Sequence, residues 1–269
     1  VKIWTVSGGP PVGLAPDAPV AAAVFSPDGE MVLTVSDTGI VQLWNSGDGA
    51  PVGVAVRHSG AAAAAFSSDG KHALTQSGQS VRVWDVPDSF NPGRTDIKEI
   101  AHGGLWIYGA AFDPAGGRII SSARDATARV WQAGKETRPL FALRHGNGVR
   151  SASFSADGLA ILTGSDDRAA YFWSAEDGAP LETPLPHSRS ITRAVLSADG
   201  TMAAVSGDGI TRLWDLAGSS LAGSPLHVPG GRSVAFSADG NTIVVRDARS
   251  DLRQWNWRDG IEIFTPPDL

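Results

Sequence analysis

Histidine, aspartate and serine are the residues of this 269-residue chain whose chemistry would first suggest catalysis or metal binding. An imidazole can act as a general base or a metal ligand, and it can activate a serine nucleophile. Five of the six histidines recur at one position of a repeated pattern: His58, His102, His145, His187 and His227. Because equivalent positions of a repeat lie in different structural units, these imidazoles are not expected to converge on one site. We therefore predict structural roles for them.

The serines and aspartates fall mainly in short turns of the type Ser-Ala-Asp-Gly, such as Ser155–Gly158. A nucleophile or a calcium loop could use these residue types, but a hairpin turn with glycine in the left-handed conformation explains the pattern better. The chain has no Gly-x-Ser-x-Gly elbow, no phosphate-binding loop and no cluster of metal ligands. The prediction is a non-enzyme with no catalytic residue, cofactor or metal.

Composition restricts the partners. The chain has a net charge of −6 and no run of Lys or Arg, so neither nucleic acid nor an anionic membrane is expected as a partner. It has no cysteine, which excludes disulfides and cysteine-based zinc sites. No apolar run approaches the roughly 18 residues of a membrane helix, and no signal peptide is visible. We expect a cytoplasmic protein, and the start at Val1 suggests a piece of a longer chain.

A repeat of about 40 residues runs through the sequence. A Phe-x-x-x-Gly turn begins at Phe25, Phe66, Phe112, Phe154 and Phe236, with Leu196 in the same place once. A tryptophan recurs in phase with it: Trp4, Trp44, Trp84, Trp131, Trp173, Trp214 and Trp255. Both series lengthen once, which places an insertion at residues 87–96.

Each repeat reads as strands. An apolar run precedes the turn, a second follows it, and a third alternates up to the tryptophan, as in Val81-Arg82-Val83-Trp84. A weaker fourth strand follows, and no stretch has helical periodicity. Four-stranded sheets of this size bury their faces by stacking radially. This predicts an all-β, seven-bladed β-propeller, with six complete blades and a first blade that is incomplete.

These residues resemble the WD-repeat (WD40) family over essentially the whole chain. The Trp-Asp ending is intact at Trp84-Asp85 and Trp214-Asp215. The resemblance implies a hydrogen-bonded tetrad of His, Ser or Thr, Asp and Trp in each blade. Two sets are complete by spacing: His102, Ser121, Asp125 and Trp131, and His145, Thr163, Asp167 and Trp173. Counting back from Trp214 gives Ala204 where the hydroxyl should be, and Gly78 replaces the aspartate of the Trp84 repeat.

The resemblance also implies a partner-binding face, formed by the loops that enter the first strand and those between the second and third. Its positions map to Trp106, Tyr108, Arg124, Arg150, Asp166 and Thr192. Trp, Tyr and Arg dominate interface energetics, so we expect the contact patch there. Trp106 and Tyr108 could instead cap a loop core.

The predicted function is a protein-protein interaction scaffold, a sensor or docking module in one domain over residues 1–269. The blades would span 1–16, 17–57, 58–101, 102–144, 145–186, 187–226 and 227–269. The degenerate repeats, rich in Ala, Gly, Arg and Asp, suggest a bacterial source. Two alternatives remain open: a propeller that binds or hydrolyses small molecules in its central channel, and an assembly element that pairs through its open blade, self-association included.

Overall fold

The computed structural model describes residues 1–4, 10–92, 98–134, 138–207, 209–216, 220–222, 225–228, 233–237, 239–247, 251–258 and 261–264. Over these ranges the chain forms twenty-seven short β-strands and one turn of 3-10 helix at Asp88–Phe90. It divides into two compact units, Val1–Ile119 with Val130–Leu140, and Ile120–Arg129 with Phe141–Leu269.

The first unit contains a two-stranded sheet and two four-stranded sheets, all antiparallel. We name each larger sheet by its repeat tryptophan. The two-stranded sheet is β1 (Lys2–Ile3) and β2 (Val12–Gly13). The Trp44 sheet is β3 (Val20–Phe25), β4 (Met31–Ser36), β5 (Ile40–Asn45) and β6 (Pro51–Arg57). The Trp84 sheet is β7 (Ala63–Phe66), β8 (His72–Gln76), β9 (Ser80–Asp85) and β10 (Lys98–Ala101).

Four more sheets follow. The Trp131 sheet is β11 (Ile107–Phe112), β12 (Arg118–Ala123), β13 (Thr127–Gln132) and β14 (Phe141–Arg144), and the unit boundaries fall within β12 and β13. The Trp173 sheet is β15 (Val149–Phe154), β16 (Ala160–Ser165), β17 (Ala169–Ser174) and β18 (Leu185–Pro186). The Trp214 sheet is β19 (Arg193–Leu196), β20 (Met202–Gly207), β21 (Ile210–Asp215), β22 (Ser220–Leu221) and β23 (Leu226–His227). The Trp255 sheet is β24 (Ser233–Phe236), β25 (Thr242–Arg246), β26 (Leu252–Asn256) and β27 (Ile261–Phe264).

Most sheets follow chain order, as hairpins joined in a meander. The Trp214 sheet differs because β22 and β23 both pair with β21, at opposite ends, so that its fourth strand is interrupted. Second strands such as β16 and β20 are buried along their whole length, because they have a strand on either side and packing on both faces.

The recurring Ser-x-Asp-Gly sequence closes the first hairpin of a sheet. In the Trp44 sheet, Ser26 Oγ donates to Asp28 Oδ1 at 2.5 Å, and that carboxylate oxygen also accepts the Glu30 N–H. Gly29 has a φ of 74°, a conformation that favours glycine. The same serine-aspartate bond recurs in four more hairpins, at Ser67, Ser155, Ser197 and Ser237. The hydroxyl and the carboxylate of each turn are thus used in holding the turn.

The pairing register of a sheet determines which residue of the second strand lies opposite the repeat tryptophan. Trp84 is paired with Ala73, Trp173 with Ile161 and Trp214 with Ala203. The residue two positions beyond that partner lies on the same face of the second strand as the partner itself. It is Thr34 in the Trp44 sheet, Thr75 in the Trp84 sheet, Thr163 in the Trp173 sheet and Val205 in the Trp214 sheet.

The insertion predicted at residues 87–96 contributes to the core. Phe90 is fully buried, and its ring centroid lies 5.9 Å from that of Trp84. Gly53 on β6 lies so close to the Phe90 carbonyl that a side chain there would collide with it. Residues 93–96 of the insertion lie outside the described part of the chain.

Candidate functional site

The loops that lead into the Trp84 and Trp214 sheets are each bonded to a turn that precedes them in the chain. The His58 N–H donates to the Gly39 carbonyl, and the His187 N–H donates to the Arg168 carbonyl, both at 2.8 Å. Gly39 and Arg168 have φ values of 78° and 74°, so the accepting residue is in the left-handed conformation. This backbone bond holds the histidine at the entrance of its sheet.

His58 forms a buried hydrogen-bonded cluster in the Trp84 sheet. Its Nδ1 lies 2.7 Å from Thr75 Oγ1, and its Nε2 lies 3.1 Å from Ser80 Oγ. Trp84 Nε1 donates to the same Thr75 oxygen at 2.9 Å. One threonine hydroxyl therefore connects the histidine to the tryptophan.

His145 forms a related cluster in the Trp173 sheet. Its Nε2 lies 2.7 Å from Thr163 Oγ1, which also accepts the Trp173 Nε1–H at 2.9 Å. The Asp167 carboxylate accepts the Gly146 N–H at 2.9 Å and the Tyr171 hydroxyl at 3.0 Å. Within the described residues this carboxylate forms no hydrogen bond to the His145 imidazole, because His145 Nδ1 faces the Leu143 carbonyl. The aspartate of this predicted tetrad is therefore connected to the histidine through the backbone amide of the next residue, Gly146.

Burial keeps these imidazoles neutral. It lowers the pKa of His58 to about 4, with a smaller contribution from the Arg82 charge. It also lowers the pKa of His145 to about 4, against the opposing effect of the Asp167 charge. A group this weakly basic is a poor general base near neutral pH, so the arrangement serves structure.

The four residues of the other predicted tetrad are divided between the two units. In the first unit, His102 is buried edge-on to Trp131, with ring centroids 6.2 Å apart and an interplanar angle of 69°. In the second unit, Ser121 is buried, and the Asp125 carboxylate accepts the Thr127 N–H and hydroxyl and the Arg129 Nη2–H.

The Trp214 sheet lacks the hydroxyl that satisfies the other two clusters. His187 Nε2 and Trp214 Nε1 are buried without a hydrogen-bond partner among the described residues. Counting along the sequence placed Ala204 at the hydroxyl position, but the strand register places Val205 there. The difference arises because Trp214 and its paired residue are 11 positions apart in this sheet, against 12 for Trp173.

Trp106 is the most prominent predicted contact residue of the first unit. Its side chain is 56% exposed, beside Leu105 at 46%. Its ring lies against Gly78, where an added Cβ would come within 2.4 Å of Trp106 Cζ3 and Cη2. The Ile107 N–H donates to the Gly78 carbonyl at 2.8 Å. The glycine in place of the expected aspartate thus makes room for the indole, and Tyr108 follows on β11, half-buried.

The remaining predicted contact residues lie in the second unit. Arg150 Nε donates to both oxygens of Asp166, at 3.0 and 2.9 Å. The Ser190 hydroxyl donates to the Asp166 carbonyl, which brings the loop containing Thr192 to the same turn. Thr192 is exposed, and its hydroxyl donates to the Ser206 carbonyl. Arg124 is exposed at the turn between β12 and β13.

Five segments match the family model described as WD domain, G-beta repeat: residues 12–45, 49–85, 95–132, 137–174 and 178–215. Together they cover more than half of the chain. The chain belongs to the WD40 family. The WD40 match confirms the predicted recognition, and with the four-stranded antiparallel sheets it confirms the predicted β-propeller fold class.

A ribosome biogenesis protein, YTM1, from the fungus Podospora anserina is 30% identical to this WD40 chain over 127 residues. The match covers 43% of the chain and 25% of that protein, so the chain spans much less than the relative's length. The relative is fungal and gives no support to the expected bacterial source.

Two features of this WD40 chain were missed in the sequence. The contact of Trp106 with Gly78 joins residues of different repeats, although the unusual glycine at the aspartate position was a signal for it. Ser80 as a second partner of His58 had no signal in the repeat pattern. Among the described residues, no three acidic or histidine side chains are grouped to hold a metal, and no helix is long and apolar enough to span a membrane.

Proposed function

We propose that this WD40 chain is a non-catalytic scaffold that binds a protein partner, with Trp106 and Tyr108 as the main contacts in its first unit. The exposed indole on Gly78 is the observation that supports the proposal most directly. Its ring is positioned by backbone on one side and open to solvent on the other. A large aromatic side chain held in this way loses little entropy on binding.

The second unit contributes a polar set to the same proposal: Arg124, Arg150, Asp166 and Thr192. The bond between Arg150 and Asp166 fixes the guanidinium before a partner arrives. Truncating Arg150 therefore also leaves the Asp166 carboxylate without that donor. A cytoplasmic location, with no nucleic acid or membrane as partner, belongs to the same proposal.

Affinity capture with quantitative mass spectrometry tests the proposal. The wild-type chain is compared with the double variant Trp106→Ala/Tyr108→Ala and with Leu159→Ala, which removes an exposed apolar side chain at a hairpin of the other unit. We expect a partner that the wild type and Leu159→Ala retain and the double variant loses, with equal melting temperatures. An identical set of captured proteins for all three would exclude this site.

The named relative favours a second, narrower function, a role in ribosome biogenesis. Its test is the sedimentation of the tagged chain in lysate of its source organism. Comigration with preribosomal particles would support this role. Migration with free protein would exclude it and would leave the general scaffold function as the remaining proposal.

A further inference from the structure

The Trp44 sheet contains a cavity where two other sheets contain an imidazole. The cavity has a volume of about 350 Å³, and its lining includes Pro16, Thr34, Ser36, Gln42 and Trp44. Its size is within the range of small-molecule sites, roughly 300–1,000 Å³. It lies entirely within the first unit.

The walls of this cavity match the surroundings of His58 and His145. Thr34 lies two positions beyond the residue paired with Trp44, as Thr75 and Thr163 do in their sheets. Trp44 Nε1 donates to Thr34 Oγ1 at 2.7 Å, which repeats the tryptophan-to-threonine bond of both sheets.

The histidine itself is what the Trp44 sheet lacks. His145 precedes Phe154 by nine residues, and the residue nine positions before Phe25 is Pro16. Proline has no side-chain nitrogen that could form a hydrogen bond, yet Thr34 and Trp44 keep the bond to each other that accompanies the imidazole in the other two sheets. Thr34 Oγ1 also lies 3.4 Å from the Gln42 carbonyl, as Thr163 Oγ1 lies 3.5 Å from the Tyr171 carbonyl while it pairs with His145, and a hydroxyl can donate one bond and accept two.

We propose that this cavity binds a small molecule that carries a neutral imidazole ring and a cationic arm. The ring takes the position that His145 takes in its own sheet, hydrogen-bonded to Thr34 Oγ1 and edge-on to Trp44. In the Trp173 sheet the corresponding rings lie 5.4 Å apart at 69°. This inference is independent of the proposed protein-binding role.

The rest of the cavity selects the arm. An imidazole ring fills only part of 350 Å³. Among the described residues that line the cavity, Asp17 is the charged one, and Ala15, Ile40, Pro51 and Ala55 add apolar surface. A carboxylate attracts an ammonium group and repels an acidic one. An imidazolylethylamine such as histamine therefore fits better than imidazole acetate, which has the same ring and a similar size.

The test is a titration at about pH 8, where a free imidazole is mainly neutral. Imidazole, histamine and imidazole acetate are added up to about 50 mM to the full chain, and the indole N–H resonances are followed by NMR. We expect saturable shifts at Trp44, with histamine tightest and the acetate weakest. If the cavity holds only water, the Trp44 resonance will show no saturable shift, and that result overturns the proposal.

Substitutions of Thr34, which lines the cavity, distinguish binding at this site from nonspecific binding. Thr34→Val should weaken histamine binding about tenfold, as expected for one lost hydrogen bond, while Thr34→Ser restores it. Thr201→Val, an exposed threonine of the second unit, is the matched control and should bind as the wild type does. Equal affinity in Thr34→Val and the wild type would contradict the proposal.

Pro16→His supplies the ring from the chain itself and keeps the proposal testable if Thr34→Val does not fold. Its imidazole should occupy the cavity, raise the melting temperature and abolish the Trp44 response to histamine. If Pro16→His binds histamine with unchanged affinity, the site is not where we place it.

Discussion

A single hydroxyl on the second strand decides whether the buried histidine and tryptophan of a sheet are both satisfied. Counting ten residues back from the tryptophan located Thr163, but the same count gives Leu74 instead of Thr75 in the Trp84 sheet, and it gave Ala204 instead of Val205 in the Trp214 sheet. A hairpin that is one residue shorter shifts the count, and the strand pairing, not the spacing, sets the face. The residue at the hydroxyl position could therefore be identified from the sequence in the Trp173 sheet, where the tryptophan and its paired residue are 12 positions apart.

Val205→Thr should stabilise the chain by about 1–2 kcal/mol, although a hydroxyl buried in a core normally destabilises it. Threonine has nearly the shape of valine, and its oxygen would accept the Trp214 Nε1–H and pair with His187 Nε2, two buried atoms that have no hydrogen-bond partner within the described part of the chain. Urea unfolding measures the change. Val35→Thr, at an equally buried valine of an apolar cluster, is the control and should cost about 1–2 kcal/mol. A loss of stability in both variants would show that Val205 does not face the two nitrogens.

The buried imidazoles make stability depend on pH in the acid range. The pKa of His58 and of His145 is about 4 in the folded chain, against about 6.5 when unfolded, so the unfolded state takes up protons first as the pH falls. Their contribution is complete above pH 6.5 and declines between pH 6.5 and 4. For His58 the full loss is about 3 kcal/mol. Urea midpoints at several pH values measure it, and His58→Gln should flatten the curve. A variant curve parallel to that of the wild type would contradict this assignment.

At the scale of elements, the period and alternation of the sequence predicted most strands. The strand predicted before the turn at Phe154 corresponds to β15, and the weaker fourth strand predicted after Trp131 corresponds to β14. Contacts between repeats were harder to predict, because no local pattern records which loop lies on which turn. The placement of Phe90 against Trp84 and of Trp106 against Gly78 are both of this kind.

Gly78→Ala should displace the Trp106 ring from its turn, because the new methyl group would occupy the ring's position. We expect a changed Trp106 indole resonance, a loss of about 1 kcal/mol and weaker partner binding. The measurement is NMR combined with urea unfolding, in a cycle with Trp106→Ala. Once the indole is gone the methyl group meets no ring, so Gly78→Ala should then cost much less. An equal cost in both backgrounds would place the strain in the turn backbone. Gly13→Ala, where a Cβ meets nothing within 4 Å, is the control.

For the whole molecule, the seven tryptophans at the repeat position and the six turns correspond to six larger sheets and one two-stranded sheet over the described residues. The sequence predicted only a partial repeat around Trp4, because that tryptophan has no Phe-x-x-x-Gly turn of its own in the given sequence. It did not predict two compact units, because that division depends on the density of contacts between repeats. A repeat protein gains much of its stability from contacts between neighbouring repeats. A substitution that weakens one repeat should therefore destabilise mainly that repeat and the repeats in contact with it.

Leu14→Ala and Leu216→Ala test whether the two units open separately. Leu14 packs with Val32 and Trp44 in the first unit, and Leu216 packs with Leu162 and Trp214 in the second. Each truncation should cost about 2–5 kcal/mol through lost burial and a cavity. We expect Leu14→Ala to accelerate amide hydrogen exchange in β4 and β5 while β16 stays protected, and Leu216→Ala to show the reverse, because local opening exposes only the weakened cluster. Native-state hydrogen exchange by mass spectrometry measures both at peptide resolution. Equal acceleration throughout the chain in either variant would show instead that it opens as one cooperative body.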